Sequence, residues 1–239
     1  MPASAFLRSS FAALLMAAAG TAAAQAPPAK PAAPPSESAV PAPVVCAPKQ
    51  LFPMSDEIRK RVVGWLRQEG LSGRHLIDFS CRIDDRRMLL GLVDATALDS
   101  RVYALDLTKD NVSARLVLEG LIEAPVLVGR PGGGRSLFHV ASAPDRGVTL
   151  RSYRATDLAS GKTQTLYAAP FDANGRGCAF AGPKGVQRLL TAAAAKMVEA
   201  KGGGAAIAID HEEVDCASGR RDRRTDVFVP TRDGFVAQK

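Results

Sequence analysis

The stretch VTLRSYRATDLASGKTQTLYA, residues 148–168, decides the fold of this chain. Two segments rich in β-branched and aromatic residues, Val148–Tyr153 and Thr163–Ala168, flank the turn signal Ala159-Ser160-Gly161. Two such segments on either side of a glycine-containing turn predict an antiparallel β-hairpin.

The same pattern of strand and turn extends toward both termini. His75–Cys81 alternates between apolar and polar residues, which is the period of a half-buried strand. Turn signals such as Pro131-Gly-Gly-Gly134 separate the successive segments. Further strands are predicted at Met88–Val93, Val102–Leu107, Val112–Leu118, Val126–Gly129, Leu137–Ala141, Ala205–Val214 and Thr225–Val229. This succession indicates antiparallel strands joined by hairpins.

Two segments have the spacing of amphipathic helices. Ser55 can cap the first, which Gly70 terminates. Its apolar face is lined by Ile58, Val62, Trp65 and Leu66. The second is predicted after Pro183, which suits a first helical turn, and ends at Gly202. Its apolar face is lined by Val186, Leu189, Leu190, Ala193 and Met197. We therefore predict an α+β fold, with an antiparallel strand-rich core and two packed helices.

A short motif recurs at three predicted hairpins. It reads Asp106-Leu-Thr-Lys-Asp110, Asp157-Leu-Ala-Ser-Gly-Lys162 and Asp215-Cys-Ala-Ser-Gly-Arg220. Aspartate followed by serine and glycine is favourable turn chemistry in general. The motif is also similar to the outer hairpin of a β-propeller blade, so a partial β-propeller-like repeat is the alternative architecture. Three units are too few for a closed propeller, which has about four to eight blades.

The N-terminal segment has the composition of an export signal. Arg8 supplies a positive charge, Phe11–Ala19 is a short apolar run, and Ala22-Ala23-Ala24 suits cleavage. We predict a Sec-type signal peptide over residues 1–24 and a Pro/Ala-rich linker over 25–44. A single disulfide-stapled domain then covers 45–239. The leader has no twin-arginine pair and no cysteine at its end, which disfavours the folded export route and a lipoprotein.

The alanine-, proline- and arginine-rich composition suggests a bacterial source. The predicted location is therefore periplasmic or secreted. No segment of the mature chain is apolar enough for us to expect a transmembrane helix. All four cysteines follow the leader, and an even number in an exported chain indicates two disulfides. Of the three possible pairings we favour Cys46–Cys81 and Cys178–Cys216. No pair of cysteines or histidines has zinc-ligand spacing, so no zinc site is expected.

The densest polar segment is Asp210-His-Glu-Glu-Val-Asp215. One imidazole among carboxylates is a candidate acid/base or metal site. Because alternate residues of a strand face opposite ways, His211, Glu213 and Asp215 would share one face, and Asp210 and Glu212 the other. A solvated strand end is the alternative interpretation.

Basic residues exceed acidic ones, 31 to 24, and the formal net charge is +7. Four arginines, which we call the arginine turn, follow the acidic segment closely: Arg220, Arg221, Arg223 and Arg224. Asp84-Asp85-Arg86-Arg87 is a second charge-dense turn. Fixed positive charges are typical of a site for an anionic partner, although such runs are often paired with neighbouring acids. Nucleic acid is not an expected partner, because no aromatic residues interleave the arginines.

The catalytic motifs we sought are missing from the sequence. It contains no G-x-S-x-G elbow, no S-x-x-K and no complete phosphate-binding loop. We therefore predict an exported soluble envelope protein, a non-catalytic binding or assembly module that needs no cofactor. It would contact an envelope protein or an anionic envelope component, lipid or glycan, through strand edges and the arginine turn. The alternatives are a periplasmic hydrolase with a site around His211, and a secreted inhibitor or host-directed factor.

Overall fold

Antiparallel β-strands make up most of the computed structural model. The structure describes residues 42–48, 55–94, 96, 100–108, 111–120, 122–145, 148–172, 175–181, 185–201 and 203–238. These residues all belong to one unit of the chain, 37–239. The predicted signal peptide and the linker up to residue 41 lie outside the described residues and stay predictions.

The described residues form fourteen strands, two α-helices and one short 3-10 helix, Pro131–Gly133. The strands are β1 Val44–Val45, β2 Ala47–Pro48, β3 His75–Arg82, β4 Arg87–Asp94, β5 Ser100–Asp106, β6 Ser113–Glu119, β7 Ile122–Gly129, β8 Arg135–Asp145, β9 Val148–Asp157, β10 Thr163–Phe171, β11 Arg188–Glu199, β12 Ala205–Asp215, β13 Arg221–Thr231 and β14 Gly234–Gln238. The helices are α1 Asp56–Gln68 and α2 Cys178–Ala181. Neither helix has the length and apolar character needed to cross a bilayer.

Three consecutive antiparallel meanders account for the longer strands. The first is β3–β6, which β2 extends into a five-stranded sheet. The second, β7–β10, and the third, β11–β14, belong to a nine-stranded sheet that begins with β1. They are joined within that sheet by a single parallel bridge between Phe171 and Leu190. The described strands form no closed propeller, so the partial-propeller alternative is not shown.

The meanders stack face to face, and adjacent side chains of one strand pack against different layers. Leu90 of β4 packs against α1, whereas the adjacent Leu89 packs against the second meander. Leu137 of β8 faces the first meander, and its neighbour Phe138 faces the third. The order of layers is therefore α1, first meander, second meander and third meander. Successive side chains of a strand point to opposite faces of its sheet. Apolar residues at successive positions therefore give a middle layer two apolar faces, and another layer packs on each.

Helix α1 lies where the sequence predicts it. The Ser55 hydroxyl accepts a hydrogen bond from the Ile58 amide at 3.3 Å, as an N-cap residue does. Val62, Trp65 and Leu66 are buried against the first meander. The amphipathic spacing and the cap agree here, so local and tertiary preferences coincide.

The second predicted helix is wrong, because residues 188–199 form strand β11. This segment pairs with β12 from Arg188 opposite Asp215 to Glu199 opposite Ala205. Ala193 and Ala195 pack toward the core between the second and third meanders, while Ala194 is exposed. The helix preference of alanine is at most a few tenths of a kcal/mol over most residues. Pairing along the whole strand outweighs it.

Disulfides tie the connecting segments to the sheets. Cys46 lies between β1, which pairs with β7, and β2, which pairs with β3, so residues 44–48 join the two sheets. The structure links Cys46 to Cys81 and Cys178 to Cys216, the two pairs expected from the sequence. Two disulfides indicate an oxidising compartment, periplasmic or extracellular.

The recurring aspartate motif has a structural role in turns. Asp157 Oδ1 accepts hydrogen bonds from the backbone and hydroxyl of Ser160, both at 2.6 Å. Asp215 Oδ1 does the same with Ser218, at 2.8 and 2.9 Å. Asp106 binds Thr108 in a related way. Aspartate therefore organises each turn through its own side chain.

Candidate functional site

His211 lies in a polar cluster at the interface of the second and third meanders. The residue is 6 % exposed. Its Nε2 is 3.1 Å from Oδ2 of Asp226 on the neighbouring strand β13. The imidazole also stacks near Tyr167 of β10, with 4.3 Å between ring centroids. Residues from three strands thus surround a side chain that the sequence singles out.

Glu213 completes this His211 cluster. Its Oε1 accepts a 2.6 Å hydrogen bond from the Tyr167 hydroxyl and lies 3.9 Å from His211 Nδ1. Its Oε2 is 3.3 Å from Nη1 of Arg188 on β11. Burial, and then the hydrogen bond to Glu213, raise the pKa of the Tyr167 hydroxyl, so Tyr167 remains a proton donor.

The other acids of the segment lie elsewhere. Asp210 and Glu212 are on the outer face, where they accept bonds from Lys196 at 2.8 Å and from Arg221 at 2.8 Å. Asp215 shares the strand face of His211 in the sequence pattern, but its carboxylate is engaged in the β12–β13 turn with Ser218. The structure therefore brings His211 and Glu213 together and leaves Asp215 out.

An Asp226–His211 pair can hold or relay a proton, but the pair lacks other parts of a catalytic site. No hydroxyl or thiol within the described ranges is hydrogen-bonded to the imidazole. Nδ1 of His211 is buried without a hydrogen-bond partner. No group of three or more possible metal ligands occurs in the part of the chain that the structure describes. The arrangement is chemically suited to holding β10, β12 and β13 together.

The arginine turn occupies the start of β13 and the turn before it. Arg221 pairs with Glu212 at 2.8 Å, and Arg224 pairs with Asp222 at 2.6 Å. No ion pair joins Arg220 or Arg223 to another described residue. Acids of β12 and β13 thus neutralise half of the charge that the sequence offers to an anion.

A second concentration of arginines borders a cleft between the first two meanders. The cleft has a volume of about 430 Å³, and Arg87, Arg115 and Arg135 line it together with Asp106. Arg87 is held by Asp84, with 2.7 Å between Nη2 and Oδ2. The Arg115 guanidinium donates to the Leu158 carbonyl. No hydrogen bond or ion pair engages the Arg135 side chain within the described residues.

The floor of this cleft is apolar. Ile83 and Ala104 line it from the first meander, and Leu158 and Ala159 from the second. Cations beside apolar lining residues are chemically suited to a ligand that carries both acidic and apolar groups. We call this site the arginine cleft.

Strand β6 forms the outer edge of the first meander and begins at the arginine cleft. Ser113, Ala114 and Arg115 at its start line the cleft. In the order β2-β3-β4-β5-β6, no further strand of the described residues pairs with β6. Leu116 at its middle is 42 % exposed. An edge strand of this kind presents unpaired backbone groups to another chain.

Sequence reasoning singled out Arg87 through its charge-dense turn but missed Arg115 and Arg135. Strand β7 lies between them in the chain, and only the stacking of the meanders brings them together. Tyr167, Arg188 and Asp226 of the His211 cluster were missed for the same reason. A single sequence contains no signal for contacts between distant strands. Searches of the chain against protein-family models, curated proteins and solved structures return no match.

Proposed function

We propose that the protein is a non-catalytic binding module of the bacterial envelope. It takes up an extended, acidic segment of a partner protein along the outer edge of β6. One observation carries the proposal: an edge strand without a described partner begins at a cleft that combines three arginines with an apolar floor. Export by the predicted signal peptide and two disulfides support the envelope location.

The backbone of β6 supplies the affinity in this proposal. An extended segment adds as a further strand, and main-chain hydrogen bonds form along the seven residues of the edge. Leu116 then meets an apolar side chain of the added strand. Such cross-strand apolar pairs contribute about 0.2–1 kcal/mol each.

The arginine cleft supplies the preference for acidic partners. Because Arg87 is paired with Asp84, the cleft offers Arg115 and Arg135 against one aspartate, Asp106, and carboxylates of the added segment are attracted to these two arginines. Exposed pairs are worth little singly, and their contribution falls as salt screens them. We therefore expect charge to govern selectivity and association rate more than total affinity.

A defined peptide tests the proposal. The probe is a fluorescent peptide of alternating valine and glutamate, and its binding is followed by polarisation at low and physiological salt. The Arg115→Gln/Arg135→Gln double variant is expected to weaken binding about tenfold at low salt, a change of about 1.4 kcal/mol. The matched control is Arg220→Gln/Arg223→Gln, which removes the same charge from the arginine turn and should leave binding unchanged.

Two further peptides separate strand addition from simple charge attraction. The same peptide N-methylated at alternate backbone amides keeps its carboxylates but loses hydrogen-bond donors, so its affinity should fall. A valine–lysine peptide should not bind. If methylation has no effect, β6 is not the docking edge. If only the arginine-turn variant weakens binding, that turn is the anion site instead.

The hydrolase alternative relies on His211 with Asp226. We favour a structural role for that pair, because His211 is 6 % exposed and no described hydroxyl or thiol is bonded to it. His211→Ala should leave peptide binding intact.

A further inference from the structure

A second cavity, separate from the arginine cleft, lies where three connecting segments of the second and third meanders meet. Its volume is about 580 Å³. Arg130 and the β8 start form one wall, the β9–β10 turn a second, and the β13–β14 turn a third. The size is within the range of small-molecule sites, which is about 300–1,000 Å³.

Arg130 is a buried cation in the wall of this cavity. The residue is 8 % exposed, and its guanidinium pairs with Asp157. Nη1 also donates to the Arg232 carbonyl at 3.0 Å, while Nε has no hydrogen-bond partner. A Cβ at Gly134 would lie 3.0 Å from Nη2, so a larger residue there would require the guanidinium to shift by a few tenths of an ångström. The guanidinium is therefore held in one position before any ligand arrives.

The remaining charges of the cavity favour an anion. The Arg130–Asp157 pair is neutral as a unit. Lys162, Arg232 and Asp233 also line the cavity, which leaves one net positive charge. No ion pair joins Lys162 or Arg232 to another described residue. Their two cationic groups can therefore pair with acidic groups of a ligand.

The hydroxyl groups of the cavity wall are suited to ligands that donate hydrogen bonds. The Ser160 hydroxyl donates its proton to Asp157 at 2.6 Å. The Thr231 hydroxyl donates to the Gly234 carbonyl at 3.2 Å. The Ser160 oxygen also accepts a hydrogen bond from the Lys162 amide at 3.2 Å. A hydroxyl has one proton and two lone pairs, so Ser160 can accept one further hydrogen bond, and the Thr231 oxygen can also accept. A ligand that meets them must bring its own donors.

We propose that this cavity binds a small polyhydroxylated carboxylic acid. Its carboxylate lies between Lys162 and Arg232, and its hydroxyl groups donate to Ser160 and Thr231. Arg130 acts as a positioning residue, because it fixes the β9–β10 and β13–β14 turns relative to each other. The cavity and the arginine cleft share no lining residue.

Matched small-molecule probes test the ligand class. Binding of glucuronate, glucose and propionate to the full mature protein is measured by calorimetry. Glucuronate is expected to bind at least tenfold more tightly than glucose, which lacks the carboxylate, and than propionate, which lacks the hydroxyl groups. Serine is the fourth probe, because it carries a carboxylate and an amine donor. Equal binding of propionate, or tighter binding of serine than of glucuronate, would overturn the proposal.

Variants and chemical shifts locate the site. Lys162→Gln/Arg232→Gln should weaken glucuronate binding at least tenfold, whereas Arg220→Gln/Arg223→Gln, which removes the same charge elsewhere, should not. Both substituted pairs are exposed, so folding is retained in each variant. In NMR spectra the amides of Lys162, Arg232 and Gly234 should shift, and those of Ser113–Glu119 should not. Absence of binding, or unchanged affinity in the first variant, would refute the site.

Discussion

His139 makes the stability of this fold depend on acid. It lies on β8 at the face toward the first meander and is 2 % exposed. Nε2 is 3.3 Å from the Thr156 hydroxyl, and Nδ1 has no hydrogen-bond partner. Burial, together with the positive charge of Arg154, lowers the pKa of His139 from 6.5 to about 4. Between pH 6.5 and about 4 this imidazole is therefore neutral in the folded protein and protonated in the unfolded chain.

The size of the effect follows from the two pKa values. One pKa unit corresponds to about 1.4 kcal/mol, so a pKa of 6.5 unfolded against about 4 folded amounts to roughly 3 kcal/mol. Because the unfolded state binds the additional proton, this free energy of unfolding is fully present above pH 6.5 and is lost as pH falls toward 4. About 2 kcal/mol of it should be gone at pH 5.

The His139→Leu variant should remove this acid sensitivity. Thr156 keeps a hydrogen-bond partner in the variant, because its hydroxyl is 2.8 Å from that of Thr163. The free energy of unfolding is measured by urea titration, disulfides intact, at pH 7.5, 5 and 4. The wild type should lose about 3 kcal/mol more than the variant between pH 7.5 and 4.

Thr156→Val is the control, since it removes the hydrogen bond and keeps the imidazole buried. It should lower stability at every pH and retain the wild-type pH dependence. If His139→Leu shows the same pH dependence as the wild type, a buried neutral His139 is not the cause of acid sensitivity, and our reasoning is refuted.

Two other substitutions test the packing between strands. Gly91→Ala places a methyl group within the Phe79 ring, which is buried between the first and second meanders. This overpacking should lower the free energy of unfolding by about 1–3 kcal/mol, and the melting temperature should fall with it. Gly64→Ala, in α1 with nothing within 4 Å of the new atom, is the matched control and should stabilise by up to about 1 kcal/mol. Gln164→Ala removes two hydrogen bonds to the Phe235 backbone, at 2.7 and 2.9 Å, and should cost about 1–3 kcal/mol in urea unfolding. Faster hydrogen exchange at the Phe235 amide should accompany that loss, and unchanged exchange would contradict it.

The local features of the fold could be predicted from the sequence, because short-range chemistry determines them. Ser55 caps α1 and Gly161 has a φ of 73°, which the turn before β10 requires. The hairpins follow from turn residues between β-rich segments. By contrast, the alanine-rich stretch of β11 has a weak local preference for helix. Its pairing with β12 lies in tertiary structure, which one sequence does not reveal.

The candidate sites show the same limit. Strand alternation correctly placed His211 and Glu213 on one face, since that depends on neighbouring residues alone. Asp226 joins them only because β12 and β13 have a particular register, with His211 opposite Arg224. Arg115 and Arg135 come together through the stacking of two meanders. Contacts of this kind depend on register and layer order, which are set by the whole core.

The single bridge between Phe171 and Leu190 has a consequence for how the molecule opens. Strands β11–β14 are attached to the rest of the nine-stranded sheet by side-chain packing and by side-chain hydrogen bonds from Arg130, Tyr167 and Gln164, with almost no backbone ladder. They should therefore exchange their amide hydrogens as one cooperative block, at a lower free energy than global unfolding. Cys178 lies in the connection before β11 and is bonded to Cys216 within the block. Helix α2, Cys178–Ala181, should therefore move with the block, which opens at the Phe171–Leu190 bridge at the end of β10.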